Sequence, residues 1–238
     1  MTKTGYFSEE AERIRGVYAR RDAAGKRKLY GWNKPDEVLS QYLLRVAVIE
    51  ALAKAGFDDL SGIDCLDVGC GTGPWLRLLM EWGADPSRLH GTDLLTDRIE
   101  RGRLISPQIA LSVSSDGSLS HVGDATMDLV SAYTVFSSIL DPEARAQLAK
   151  EMMRVLRPSG LLLIYDFRIS DLRSRDTVGI GMREIRRLFP AMKARRTPVS
   201  LAPPLQRPLA RWSPLVAHAV ESFFPFLRTH MLCVLKRS

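Results

Sequence analysis

Residues Cys65-Leu66-Asp67-Val68-Gly69-Cys70-Gly71-Thr72-Gly73 decide how this chain is read. A short apolar run over 63–68 ends in three glycines at alternate positions, and Pro74 then opens an amphipathic segment that reaches Trp82. This is the pattern of a strand, a sharp turn, and a helix with proline in its first turn. Glycine lets the backbone turn where other residues cannot and lets a ligand approach without a Cβ in the way. In an open parallel sheet, ligands sit beyond the carboxyl ends of the strands, where such a loop lies. A dinucleotide fold would show Gly-x-Gly-x-x-Gly, which brings a helix N-terminus onto a pyrophosphate. Here the spacing is Gly-x-Gly-x-Gly, with an acid two residues before the first glycine. That arrangement suits a cationic ligand.

Outward from this loop, strands and helices alternate. The pattern predicts strands over 88–92, 109–113, 128–133 and 160–166, with helices over 95–103 and 142–156. Upstream, it predicts helices over 8–22 and 36–56. In the second of these, Val38, Tyr42, Val46, Ile49 and Ala53 recur at helical spacing, and Gly56 suits the end. Alternation of this kind implies an α/β fold, a mostly parallel sheet with helices on both faces. After residue 167 the texture changes. Seven of the thirteen prolines fall between Pro190 and Pro225. A basic helix is predicted over 180–189, an apolar helix over 209–224 and a final, antiparallel strand over 229–235. The chain therefore divides into N-terminal helices over 1–59, a core over 60–167 and an elaboration over 168–238 that completes the same sheet.

The 45% hydrophobic and 26% charged residues are those of an ordinary globular protein. No stretch approaches the roughly 20 apolar residues that span a bilayer, and the first residues lack the apolar core of a secretory signal. The expected location is the cytoplasm. Cys65, Cys70 and Cys233 show no metal-ligand spacing and read as free thiols. The net charge of +7 is unevenly placed: residues 168–238 hold 14 of the 34 Lys and Arg but only 4 of the 27 Asp and Glu. Such a basic third fits an anionic acceptor, a membrane surface or nucleic acid, or is a solvated face.

The glycine loop resembles the first motif of class I S-adenosylmethionine (SAM)-dependent methyltransferases, and later segments resemble the type 11 group that includes quinone and small-molecule methyltransferases. Three further stretches carry the likeness: Gly91-Thr92-Asp93-Leu94, Ser115-Asp116-Gly117, and Asp128-Leu129-Val130 together with residues 151–160. The resemblance covers residues 60–167 and implies a Rossmann-like fold with SAM as cofactor. It implies that Asp67, Gly69, Cys70, Gly71 and Gly73 cradle the cofactor and that Asp93 accepts from both ribose hydroxyls. Leu94 would pack on the adenine, and Asp116 beside Gly117 would accept from its amino group, with Asp124 as an alternative acid. An N-terminal helix would close as a lid, with Arg20 pairing the cofactor carboxylate. Tyr18, Tyr30 and Trp32 are the lid's available aromatics.

The histidine that several such methyltransferases carry after the fourth strand is absent; Phe136-Ser137-Ser138-Ile139-Leu140-Asp141 stands there. Position alone then offers Tyr133, Asp166 and His230 as catalytic candidates, with Tyr133 also against the cofactor. His121 and His218 read as structural. No clustered spacing signals a metal. The expected reaction is SAM-dependent methylation of a small molecule or glycan, on oxygen. The alternatives are a membrane-associated lipid or quinone acceptor, with peripheral membrane contact through the basic third, and a SAM-binding protein without catalysis. Specific nucleic-acid binding is disfavoured, because the fourth strand is not followed by an Asn/Asp-Pro-Pro-aromatic site and the basic third lacks stacking platforms.

Overall fold

The computed structural model of the chain describes residues 3–25, 33–114, 116–170 and 175–237, the side chains of 3–7 excepted. Tyr30 and Trp32 lie outside the described residues, as does Ser115. Two long helices come first, α1 (Lys3–Ala23) and α2 (Pro35–Ala55). The alternating core follows: β1 (Cys65–Val68), α3 (Pro74–Glu81), β2 (Leu89–Asp93), α4 (Thr96–Ile105), β3 (Ala110–Val113), β4 (Met127–Tyr133), α5 (Pro142–Val155) and β5 (Leu156–Phe167). The last third supplies α6 (Met182–Leu188), β6 (Met192–Leu201), α7 (Pro203–Trp212), α8 (Pro214–Phe223) and β7 (Arg228–Arg237).

The strands form one seven-stranded sheet in the order β3-β2-β1-β4-β5-β7-β6. The strand β7 runs antiparallel to both β5 and β6, and the remaining pairings are parallel. The α/β class, the mostly parallel sheet and the antiparallel C-terminal strand follow the expectation. The order reverses between β1 and β4, so the switch point lies at the carboxyl end of β1, where the glycine loop begins.

Because side chains alternate along a strand, each strand feeds two cores. Leu66, Val130, Leu162 and Ile164 pack with Leu148 and Met152 of α5 and with Ile14 of α1. Cys65, Leu129, Leu161 and Leu163 pack on the other face with Val48 and Leu52 of α2 and with Leu76 and Leu79 of α3. Asp141 caps α5 by accepting the Glu143 N–H at 2.9 Å.

Three expectations need correction. Residues 192–201 form β6, a strand the pattern did not predict. It is the sheet edge, so Lys193, Arg195 and Arg196 remain exposed and Pro198 is tolerated, which erases the apolar signal of a strand. The predicted helix over 209–224 is two helices that meet at Ser213, whose hydroxyl accepts the Val216 N–H and starts α8 ahead of Pro214. The strand β5 begins at Leu156, not at 160. No helix among the described residues is long and apolar enough to cross a membrane, and all three cysteines are buried and unpaired.

Candidate active site

A cleft of about 850 Å³, open solvent included, lies at the carboxyl ends of β1, β2 and β4. Its floor is Val68 and Gly69 of the glycine loop, and one wall is the end of β2, from Thr92 through Leu95, with Arg98. The opposite wall is Tyr133, Thr134 and Val135 after β4, backed by Ile139 and by Leu148 of α5. Glu10, Ala11, Ile14 and Tyr18 of α1 cover it.

The loop is held open by its glycines. Gly69, Gly71 and Gly73 all have positive φ, at 70°, 57° and 77°. A Cβ on Gly69 would come within 2.5 Å of the Val135 side chain, whereas one on Gly71 would meet nothing within 4 Å. Gly71 thus leaves room beside the cleft at a backbone conformation that other residues resist. The Gly71 N–H donates to one oxygen of Asp93 at 2.8 Å, and the Leu95 N–H donates to the other at 2.9 Å. Asp93 therefore faces the cleft with each oxygen already oriented and with acceptor capacity to spare. Burial raises its pKa; the N–H groups of Leu95 and Gly71 and the charge of Arg98 work against that rise. Leu94 lies beside it on the cleft wall.

Other expected residues stand elsewhere. Asp67 turns into the sheet, where the Ser131 hydroxyl donates to it at 2.7 Å. Burial pushes its carboxyl up to about 8, the hydroxyl pulls it down and Asp93 adds to the rise. The Cys70 side chain is in the core against Leu76 and not on the cleft, since β1's exit turns it inward. The Asp116 carboxylate accepts the Ser118 N–H at 2.9 Å, which closes a local turn, and it is Gly117 and Ser114 that line the cleft. Asp124 pairs with Arg154 at the surface. Arg20 is largely exposed and lies 3.7 Å from Asp176, off the cleft. The cleft's arginine is Arg98, whose guanidinium sits 4.5 Å from the Tyr18 ring centroid.

The helix α1 over the cleft is tied down. The Leu140 N–H donates to Glu10 and Arg13 donates to the Ser138 carbonyl, so α1 is fixed to the turn after β4. Burial would raise the Glu10 carboxyl, but Arg13 and the Leu140 N–H outweigh it and hold it below the usual range. Sequence reasoning missed Glu10 because an acid on an amphipathic helix looks like any solvated one. It also missed Thr134, which adopts φ 57° and donates its N–H to the Tyr165 carbonyl at 2.7 Å. A β-branched residue in the left-handed region is strained. No glycine marks this turn, so nothing in the sequence announces it.

The catalytic candidates separate. Tyr133 lines the cleft, with its ring 4.9 Å from Trp75 and 6.0 Å from Tyr165. Its hydroxyl is buried and finds no partner among the described residues; burial, Asp67, Cys65 and Tyr165 keep it protonated. Asp166 is fully buried and accepts the N–H groups of Ser137 at 3.0 Å and Phe167 at 2.8 Å, so it holds the turn after β4 and does not line the cleft. Burial raises it to about 6 against those N–H groups. His230 stacks on Tyr165 at 5.2 Å and leans on Phe167 at 4.2 Å, with Nδ1 3.2 Å from the Thr229 hydroxyl. Burial pushes it down to about 4, so its imidazole is neutral.

Residues 40–216 match the family described as a methyltransferase domain. The chain belongs to the methyltransferase-domain family. A sterol 4-C-methyltransferase of Caenorhabditis elegans is 29% identical over 109 residues, which are 44% of this chain and 31% of that protein. The chain thus spans less than a third of the curated relative it matches. Among solved structures, the S-adenosylmethionine dependent methyltransferase of Mesorhizobium loti is similar with TM-score 0.59 and 15% identity, over 79% of this chain and 96% of that one. A SAM dependent methyltransferase of Archaeoglobus fulgidus gives 0.56 and 15%, over 80% and 94%. These likenesses show the fold.

The methyltransferase domain takes SAM as cofactor, and the cleft fits it. Gly69 lies on the cleft floor, and Gly71, outside the lining, leaves open space beside it in which a Cβ would meet nothing within 4 Å. Asp93 offers a pre-oriented, half-buried carboxylate for vicinal hydroxyls, and Leu94 and Ile139 offer apolar walls for a flat base. Among the described residues, Val68 and Gly69 of the floor are uncharged and Arg98 stands on the wall beside Asp93.

Proposed function

We propose that this chain transfers the methyl group of SAM to an apolar small molecule. The observation that carries the reading is a row of rings that starts at Tyr133 on the cleft and runs on through Tyr165, His230 and Phe167 outside its lining. Tyr133 and Tyr165 are register partners across β4 and β5, and Phe167 and His230 are partners across β5 and β7. Their rings follow one another at 6.0, 5.2 and 4.2 Å along the sheet's carboxyl edge. Such a wall favours a flat or hydrocarbon acceptor over a heavily hydroxylated one. The sterol methyltransferase relative acts on a molecule of that class.

When bound, SAM supplies an electrophilic methyl on a good leaving group, so the protein's work is alignment and exclusion of water. Asp93, Gly69 and Gly71 hold the cofactor in this reading. Tyr133 lines the cleft next to the glycine loop, and its protonated hydroxyl, buried in the free protein, would act only as a hydrogen-bond donor if acceptor binding uncovers it. The lid helix α1, pinned by Glu10 and Arg13, keeps water out.

Transfer to oxygen is the finer reading, with His230, toward the far end of the ring row and outside the cleft lining, as the group nearest to an acceptor hydroxyl in this reading. Burial keeps its imidazole neutral but also makes it a weak base, so its role would be to accept a hydrogen bond that orients the hydroxyl. The test is a labelled-methyl assay over sterol, quinone, phenol and glycan acceptors, with the product atom assigned by NMR. Label that enters an organic-phase product on oxygen supports both readings. Transfer to carbon overturns the oxygen assignment alone, and transfer only to glycans overturns the apolar acceptor.

A further inference from the structure

The helices α7 and α8 leave an apolar face in water. Trp212, Leu215 and Phe223 are 79%, 81% and 80% exposed, and Phe224 and Phe226 beside them are also exposed. This is not a helix whose inside and outside are exchanged. In α8, Ala217 and Glu221 face the protein, and Leu215 and Phe223 stand on the opposite side of the same helix. In α7, Gln206 is buried and its amide donates to Ser40 of α2 at 2.8 Å, while Trp212 points away. Several large rings held outward on packed helices are more than the scattered exposure usual on a protein surface.

The two helices carry surface charge of one sign, with Arg207 lying 3.6 Å from Asp36 of the neighbouring α2 and Arg211 exposed at the far end of α7. Residues 201–227 contain Arg207, Arg211 and a single acid, Glu221. Glu221 is buried and lies 3.4 Å from Arg228, so it shows no negative charge at the surface. Arg211 is exposed beside Trp212, and Arg168 donates to the Phe226 carbonyl at 3.1 Å. Exposed aromatics flanked by arginine, on helices that carry no exposed acid of their own, complement an anionic bilayer interface.

The position gives the face a purpose. The strand β6 runs parallel to β5, so its end at Leu201 lies on the carboxyl edge of the sheet, and β7 returns there at its partner Arg228. The two helices inserted between them therefore project from the same edge as the cofactor cleft and the ring wall.

We infer that α7 and α8 dock this protein on an anionic membrane surface, with the carboxyl edge of the sheet turned toward the lipid. The rings enter the headgroup region and the arginines meet the lipid phosphates. An acceptor resident in the bilayer could then reach the ring wall without crossing water, which joins this inference to the proposed apolar acceptor. The docking itself does not depend on methyl transfer.

The test is co-sedimentation of the full chain, without SAM, with vesicles of phosphatidylcholine alone or mixed with phosphatidylglycerol. Binding is expected only to the mixed vesicles and should weaken as salt rises. Trp212→Ser combined with Phe223→Ser should lower partitioning about tenfold, because both rings are water-exposed in the free protein and their loss removes the inserted area. Arg211→Glu should weaken it as well. Circular dichroism checks that each variant is folded. Wild-type protein that stays with the supernatant overturns the inference, as does a serine double variant that binds as wild type does. A dimer in light scattering that dissociates in the serine variant, without vesicle binding, would assign the face to a second copy instead. Since no cofactor is present, a failed methyl-transfer assay leaves these outcomes untouched.

Discussion

Replacing Asp93 with alanine separates what the cofactor needs from what the fold needs. In the free protein, this carboxylate accepts the N–H groups of Gly71 and Leu95 at 2.8 and 2.9 Å, which ties the glycine loop to the start of α4. Removing it strands two donors, at about 1–3 kcal/mol for any that stays buried and unpaired. It also removes a carboxylate whose ionised form burial disfavours, which offsets part of that cost. The net loss of apo stability should be about 1–2 kcal/mol, a fall of about 2–8 °C in Tm for a chain of this size. Cofactor binding should suffer separately. Hydrogen bonds to a charged acceptor contribute about 1.5–3 kcal/mol, so Kd should rise about 10- to 150-fold. Asp93→Asn should fall between, because its single carbonyl oxygen can satisfy Gly71 or Leu95 but not both and carries no charge. Titration calorimetry with S-adenosylhomocysteine, paired with apo melting curves, reads both effects. A folded Asp93→Ala protein with wild-type affinity would falsify the assignment of Asp93 to the ribose. An Asp93→Asn protein as tight as wild type would show that the negative charge is not used.

Gly71→Ala should fold at a cost of about 1–2 kcal/mol for its left-handed backbone yet bind SAM more weakly; unchanged affinity in calorimetry would mean the cofactor does not approach this glycine. Gly91→Ala should do the reverse, since its Cβ would lie 2.7–2.9 Å from Leu111, Cys70 and Leu76; a loss of about 1–3 kcal/mol is expected in urea melts, and no loss would show that the core yields there. The Asp67 carboxyl, raised from 3.8 to about 8, ionises first in the unfolded chain, so apo stability should decline as pH rises from about 4 to 8. Asp67→Asn keeps an oxygen for Ser131 and should flatten that decline; a wild-type melting curve already flat across this window would refute the buried, protonated state. Tyr133→Phe removes a hydroxyl with no partner among the described residues, so apo stability should change by less than about 1 kcal/mol while kcat falls at least about tenfold if the hydroxyl meets the acceptor. Equal kcat would leave Tyr133 a packing role only.

How much of this was legible in the sequence depended on whether the signal was local. Strands β1 to β4 were readable because each is a short apolar run closed by glycine, proline or a polar turn, and α2 and α5 because their apolar residues keep helical spacing over several turns. The glycine loop was readable because its left-handed backbone demands glycine, and Asp93 because its position resembles that of the acid in class I methyltransferases. The strand β6 was not readable. An edge strand buries little, so Lys-Ala-Arg-Arg-Thr-Pro looks like a loop until β7 pairs with it. The glycine loop carries a motif and so was legible, whereas the row of rings across β4, β5 and β7 carries none.

The sequence by itself determined the α/β class, the parallel core and the place of the glycine loop, because φ restrictions, side-chain alternation and helical periodicity act between near neighbours. The tertiary structure alone decided the direction in which shared residue types face. Asp67 meets Ser131 from a strand 64 residues away, so it serves the sheet and not the open cleft. Arg98, and not Arg20, lines the cleft, because α1 packs Ile14 inward and turns Arg20 toward Asp176. Tyr165, Phe167 and His230 become one wall only when β7 inserts antiparallel beside β5, and the rings of α7 and α8 face water only because Ala217 and Gln206 are the residues that pack. These are contacts between distant segments. Their free energy depends on which faces meet, and no window of the sequence contains both partners.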